Sequence, residues 1–255
     1  MARVQEIVDG IPVLLVEAAG PGDIVLWMSH LGGSAEQTLP MLERFAAAGH
    51  PAVSFDAVGH GRRGSGDPRA FASGVLAEYR RRMWPILGQT TLEAMRVLTW
   101  AQERTGAPGE ARAGGVSMGG DVAVALAGID RRVRRVATVG SSPDWSRPGM
   151  HDLRDSTRPI GQGRADPYAQ WFADQLDPMR HLKRYRDGAP IDFELGGADH
   201  HIPKENAQAF VHALVETHAV PAVTLRLSVH PGLDHFGVTR SADALESAVR
   251  WLLAA

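Results

Sequence analysis

The 255-residue chain contains no cysteine. Disulfides, thiolate nucleophiles and cysteine-based zinc sites are excluded together, and the absence fits a reducing compartment. No charge sign dominates either. Twenty-seven Lys and Arg against 29 Asp and Glu leave a formal net charge of −2, which gives no means of attracting nucleic acid or an anionic membrane. The basic clusters at Arg80-Arg81-Arg82 and at residues 131–135 are interrupted or flanked by apolar residues and read as solvated faces. Long apolar runs are missing as well: no stretch approaches the roughly 18 residues a membrane span needs. The N-terminal segment carries Glu6 and Asp9 ahead of a short apolar run. It lacks the basic start, longer apolar core and small-residue cleavage site of a signal peptide. The expectation is a soluble, cytoplasmic protein whose partners include neither nucleic acid nor membrane. No internal repeat, low-complexity tract or Gly-rich dinucleotide fingerprint is present, and no cofactor is expected.

What is present is ordinary globular composition, 44% hydrophobic and 22% charged, at a length that α/β folds reach as one domain. Residues 4–8 and 12–17, joined through Asp9-Gly10, predict a hairpin. The short apolar runs 24–28 and 52–55 have the pattern of strands buried on both faces. Further strands are predicted at 112–116, 133–140, 191–195 and 223–229. Helical spacing recurs at 35–48, 89–105, 119–128, 204–217 and 242–253, with a short helix near 72–84 inside an otherwise loop-like 62–88. Such alternation predicts an α/β fold with a mostly parallel sheet of about eight strands and helices on both faces. Residues 141–187, with several prolines and glycines and the aromatics Trp145, Tyr168, Trp171, Phe172 and Tyr185, break the rhythm. They are expected to form a cap inserted into a single domain spanning residues 1–255.

Gly115-Val116-Ser117-Met118-Gly119 is a G-x-S-x-G sequence between a predicted strand and a predicted helix, the context a nucleophile elbow requires. The turn is too tight for bulky neighbours, hence a glycine two residues either side of Ser117. The helix N-terminus behind it favours developing negative charge. A serine hydroxyl is a poor nucleophile until a base takes its proton, so a histidine and a carboxylate must accompany it. The strand at 191–195 runs into Gly196-Gly197-Ala198-Asp199-His200-His201-Ile202-Pro203, and the strand at 223–229 into His230-Pro231-Gly232-Leu233-Asp234-His235-Phe236-Gly237. Asp199 and His235 thus stand at strand C-terminal ends, in the order Ser, Asp, His.

Taken with His30-Leu31-Gly32-Gly33-Ser34 and Phe55-Asp56-Ala57-Val58-Gly59-His60-Gly61, these segments make the chain resemble the α/β-hydrolase superfamily along nearly its whole length, particularly its serine esterase and dienelactone-hydrolase-like branches. The resemblance implies Ser117 as nucleophile, Asp199 as acid and His235 as base. It also implies an oxyanion hole from the backbone N–H of Met118 and one from the loop after residue 28. In that loop the superfamily usually has His-Gly before the donor, whereas this chain has His30-Leu31; the second donor is assigned to Leu31. The activity implied is that of a carboxylesterase on a small to medium acyl ester. Thioesters, lactones, amides and carbon–carbon bonds are the alternatives on the same site, and a non-catalytic ligand-binding protein of hydrolase fold is the alternative from another class. Haloalkane dehalogenases and epoxide hydrolases on this fold carry Asp at the elbow, so their chemistries are disfavoured.

Other residues read more plainly. His230 leaves its strand directly before Pro-Gly and is a weaker base candidate; Asp234 adjoins His235 and points away from it in an extended loop. Asp144 follows the strand at 133–140, where some relatives of the superfamily carry their acid. Asp56 and His60 are expected to fix loops. Asp199-His200-His201 lacks the H-E-x-x-H spacing or a third ligand, so no metal is expected. Ser141, Ser142 and His151 carry no spacing that requires substrate contact. Trp145 and Trp171 are the candidate substrate-binding residues in the cap.

Overall fold

A computed structural model describes residues 2–20, 22–221 and 224–254. Its strands are β1 (Arg3–Val8), β2 (Ile11–Val16), β3 (Ile24–Met28), β4 (Ala52–Phe55), β5 (Ala111–Val116), β6 (Val133–Val139), β7 (Ile191–Gly196) and β8 (Leu225–His230). They form one sheet in the order β1-β2-β4-β3-β5-β6-β7-β8. The first two strands make a hairpin whose turn places Asp9 at φ 50° and Gly10 at φ 82°, the left-handed pair that a two-residue hairpin loop demands. β2 runs antiparallel to β4, and every later pairing is parallel.

The all-apolar strands are explained by what covers them. Along β3, Ile24, Leu26 and Met28 join one core while Val25 and Trp27 join the other, so both faces of the pleat are buried. The helices are α1 (Leu39–Ala47), α2 (Pro68–Ala77), α3 (Tyr79–Thr105), α4 (Met118–Ile129), α5 (Pro167–Leu176), α6 (Lys204–His218), α7 (His235–Arg240) and α8 (Ala242–Leu253). Leu42 and Phe45 of α1 and Ala248 and Leu252 of α8 cover one face. Leu98 of α3, Val122 of α4, Phe172 of α5 and Phe210 of α6 cover the other.

Three elements differ from the sequence expectation. The chain expected to break near residue 88 is one 27-residue helix, α3, running through Pro85. An interior proline removes a helix hydrogen bond, but here the flanking Met83, Trp84, Ile86 and Leu87 are all buried. Gly88 admits the Phe172 ring, which a β-carbon there would meet at 2.1 Å. Tertiary burial outweighs the local penalty. The segment around Asp234, expected as an extended loop, instead turns helical at His235, because the Asp234 carboxylate caps α7 by accepting from the Gly237 N–H at 2.7 Å. The last strand starts at Leu225; Val223 of the expected 223–229 lies outside the described residues. Within 141–187, α5 packs along α3 and the Tyr185 hydroxyl donates to the Val124 carbonyl at 2.9 Å. Among the described residues, no helix is long and apolar enough to cross a membrane.

Candidate active site

Ser117 sits between β5 and α4 at φ 53°, ψ −122°, a conformation an L-residue adopts only when its surroundings force it. The forcing groups are visible. Added β-carbons at Gly115 and Gly119 would stand 2.6 Å from the Gly119 carbonyl carbon and 2.4 Å from the Met28 oxygen, so β3 and α4 approach each other only through glycine. The Ser117 N–H donates to the Val139 carbonyl at 2.8 Å, and the Ser141 hydroxyl donates to the Ser117 carbonyl at 2.9 Å. These bonds hold the elbow to β6 and leave the Ser117 side chain to point outward.

Asp199 and His235 are brought together by the stitching of two loops. The Gly197 N–H donates to the His230 carbonyl at 2.8 Å and the Ala198 N–H to the Leu233 carbonyl at 3.0 Å. Across this seam Asp199 Oδ2 lies 2.8 Å from His235 Nδ1. Its other oxygen accepts the backbone N–H groups of His201 at 2.9 Å and Ile202 at 2.8 Å, which fixes the carboxylate's orientation. His235 Nε2 lies 3.1 Å from Ser117 Oγ. All three side chains are largely buried. With the Asp199 oxygen as acceptor, the His235 proton belongs on Nδ1, leaving Nε2 free to accept from the serine.

Ser117 and His235 open into a cavity of about 340 Å³ that Leu31 also lines. Leu31 is presented by a tight turn, closed by the Gly33 N–H on the His30 carbonyl at 2.9 Å, with Gly32 at φ 77°. Met118 is the first residue of α4, so its N–H has no acceptor within the helix.

The two tryptophans singled out as substrate contacts are not brought to this cavity. Trp145 is wholly buried, its carbonyl accepting from Trp84 Nε1 at 2.9 Å, whereas Trp171 is half exposed on α5 and stacks edge-on against Phe172. Their bulk serves packing and surface instead. The apolar walls come from Met41, Leu76, Met83, Leu153, Phe236 and Leu245, scattered single residues that no periodicity marks. His230 bonds Glu194 Oε2 at 2.6 Å, and Asp144 turns back on the Ser146 N–H at 2.8 Å; neither reaches Ser117. Asp56 accepts from the N–H groups of Ala35 and Arg62, both at 2.8 Å, and so ties the loops after β3 and β4 together. His60 Nδ1 lies 2.8 Å from the Val58 carbonyl, and burial pulls the His60 pKa down. No cluster able to hold a metal exists among the described residues.

Two cavity residues escaped the sequence reading. His201 packs its ring 5.1 Å from that of His235, and its Nδ1 lies 2.9 Å from the His151 carbonyl. Burial first, then the charges of His235 and Arg147, pull its pKa down to about 3, so it is a neutral neighbour of His235. Arg147, at φ 40°, is buried to 1% and paired with the equally buried Asp121 of α4. Burial raises the Asp121 pKa and the Arg147 charge opposes that rise; for Arg147, burial works against the charge but Asp121 outweighs it and the pKa is raised. One signal was in the sequence: Asp121 is the only charged residue in α4, and a carboxylate in so apolar a helix demands a buried partner.

No known family's sequence profile matches the chain, and no curated protein matches it in sequence. Solved structures do match in shape. The Thermus thermophilus protein TT1662 is 27% identical with a TM-score of 0.73, the match covering 100% of both chains. Thermogutta terrifontis esterase 2, in a structure phosphonylated by sarin, is 17% identical with a TM-score of 0.66, covering 99% of this chain and 94% of that one. The α/β hydrolase GrgF from a Penicillium species is 15% identical with a TM-score of 0.63, covering 97% and 98%. With its strand order and one antiparallel strand pair leading into a parallel sheet, the chain has the α/β-hydrolase fold.

Proposed function

We propose that the protein is a serine hydrolase that cleaves carboxylic esters of small to medium acyl groups through an acyl-enzyme. The observation carrying this is the unbroken hydrogen-bonded series from Ser117 Oγ through His235 to Asp199, opening into a mainly apolar cavity. Ser117 Oγ attacks the acyl carbonyl carbon while His235 Nε2 takes the hydroxyl proton and Asp199 holds the imidazole by its Nδ1–H. The N–H groups of Met118 and Leu31 receive the oxyanion, each such donor being worth about 3–4 kcal/mol of barrier. The tetrahedral adduct collapses with cleavage of the ester C–O bond, and His235 hands its proton to the departing alkoxide. Water then attacks the acyl-enzyme along the same path, returning Ser117 and releasing the acid. The fully neutral His201 beside His235 adds no positive charge to oppose protonation of the base. A cavity of this size matches the lower end of small-molecule sites.

Pre-steady-state hydrolysis of p-nitrophenyl acetate and longer acyl homologues tests the proposal. A nitrophenolate burst that approaches one equivalent per enzyme and disappears in Ser117→Ala is expected. Turnover undiminished by that substitution would sink it.

A further inference from the structure

Arg147 lines the cavity beside Ser117, yet its pairing with Asp121 leaves most of its donors unused. Nη2 is held by Asp121, and the guanidinium stacks over the Tyr79 ring at 5.4 Å. Among the described residues Nε is buried with no hydrogen-bond partner. Nη1 has no protein partner either, and it is not among the atoms shut away from solvent; for a side chain only 1% exposed, the accessible space is the cavity. Buried donors are almost always satisfied, and those of a guanidinium more strongly than most. Much of the remaining lining is hydrocarbon, from Met41, Leu76, Met83, Leu153 and Leu245, with polar side chains such as Gln37, Thr38, His201 and Arg240 set among them. A purely alkyl acyl chain filling that space would seal the guanidinium edge against carbon and leave its donors unmet. An acceptor oxygen on the chain would meet Nη1, the donor that faces the cavity.

We propose that Arg147 is a specificity-determining residue, and that the natural substrate is an ester whose acyl group carries a second acceptor oxygen, a ketone or a carboxylate, a few carbons from the scissile carbonyl. Asp121 neutralises the guanidinium without consuming its free edge, so a neutral oxygen suffices for recognition and a full negative charge is not required. The backbone at Arg147 is consistent with a placed rather than incidental side chain. Its φ of 40° is held by the Arg147 N–H on the Asp144 carbonyl at 3.1 Å and by Gln162 Nε2 donating to the Arg147 carbonyl at 3.1 Å. The Ser142 N–H donates to the second Asp121 oxygen at 2.8 Å, so the carboxylate that positions the guanidinium is itself fixed.

The inference rests on the proposed ester hydrolysis at Ser117, and one experiment separates the two. The p-nitrophenyl esters of pentanoate, 4-oxopentanoate and glutarate (as the monoester, with spontaneous hydrolysis subtracted) are compared with the wild-type protein. At least one oxygenated ester is expected to exceed pentanoate in kcat/KM by about 10- to 100-fold, the range for a hydrogen bond to a charged group. Which of the two leads tells a neutral from an anionic acyl group. In the double variant Arg147→Met with Asp121→Asn, which strands no buried charge, that ratio is expected to fall to about one. The ratio is read within one folded sample, so a loss of stability does not imitate it. Pentanoate equal to or faster than both oxygenated esters in the wild type overturns the inference while leaving the hydrolase intact, as does a preference that survives in the double variant. Absence of enzyme-dependent turnover with all three overturns the hydrolase and the inference with it.

Discussion

His201→Gln is expected to change how stability depends on pH, by an amount that follows from burial alone. In the folded protein His201 stays neutral down to about pH 3, whereas an unfolded histidine titrates near its model value of 6.5. The folded pKa is depressed, so the contribution is fully present above pH 6.5 and is lost as pH falls, because the unfolded chain binds a proton that the folded one refuses. Each pH unit below 6.5 costs about 1.4 kcal/mol, so between pH 8 and pH 5 the loss is about 2 kcal/mol. Buried carboxyls act in the opposite sense, Asp121 among them. Burial, then the Asp144 charge, lifts Asp177 to about 7; burial, opposed by the Arg226 hydrogen bond, lifts Asp192 to about 6. Both bind protons more readily when folded and so mask the histidine in wild type alone. The difference between wild type and variant removes them. In equilibrium urea unfolding, the wild type should lose about 2 kcal/mol more than His201→Gln on going from pH 8 to pH 5. Equal losses would mean that His201 titrates in the folded protein as it does in water, and that His235 does not stand beside a neutral neighbour.

Two further substitutions probe the elbow and the carboxylate. Asp199→Asn keeps an oxygen for the His201 and Ile202 N–H groups but turns an amide toward His235 Nδ1, favouring the wrong tautomer; turnover of an activated ester should fall about 10³- to 10⁴-fold. A loss smaller than tenfold in steady-state kinetics would remove Asp199 from the proposed mechanism. Gly119→Ala places a β-carbon 2.4 Å from the Met28 oxygen, where only backbone movement makes room. A cost of about 3 kcal/mol is expected, lowering Tm by about 6–12 °C in a thermal melt. An unchanged Tm would mean that β3 and α4 are not in the contact described.

Much of this fold was legible because its strands are marked twice, by apolar runs and by the turn chemistry at their ends. The run 24–28 is buried on both faces because α1 and α8 cover one and α3 and α4 the other. Ser117, Asp199 and His235 could be placed in order because each follows a strand of a parallel sheet, and such strands end on one edge. What the sequence hid was decided by tertiary contacts. Residues 62–88 were expected to be largely loop because they hold no clean helical period, yet the packing of Trp84, Leu87 and Phe172 keeps the chain helical through Pro85. Trp145 and Trp171 drew attention as large aromatics in an irregular segment, but large side chains serve a core as readily as a pocket, and neither lines the cavity. Arg147 was hidden for the opposite reason: an arginine in a loop suggests solvent until its partner, the lone carboxylate of α4, is placed beneath it.

Whether Ser117 is the nucleophile is read most directly from the site of covalent attachment. Reaction with a fluorophosphonate, followed by intact-mass analysis and peptide mapping, is predicted to give one adduct per chain, on the Ser117 oxygen, and none in Ser117→Ala. A catalytically active protein that carries the adduct on another residue, or reacts equally well without Ser117, would mean that Ser117 is not the nucleophile.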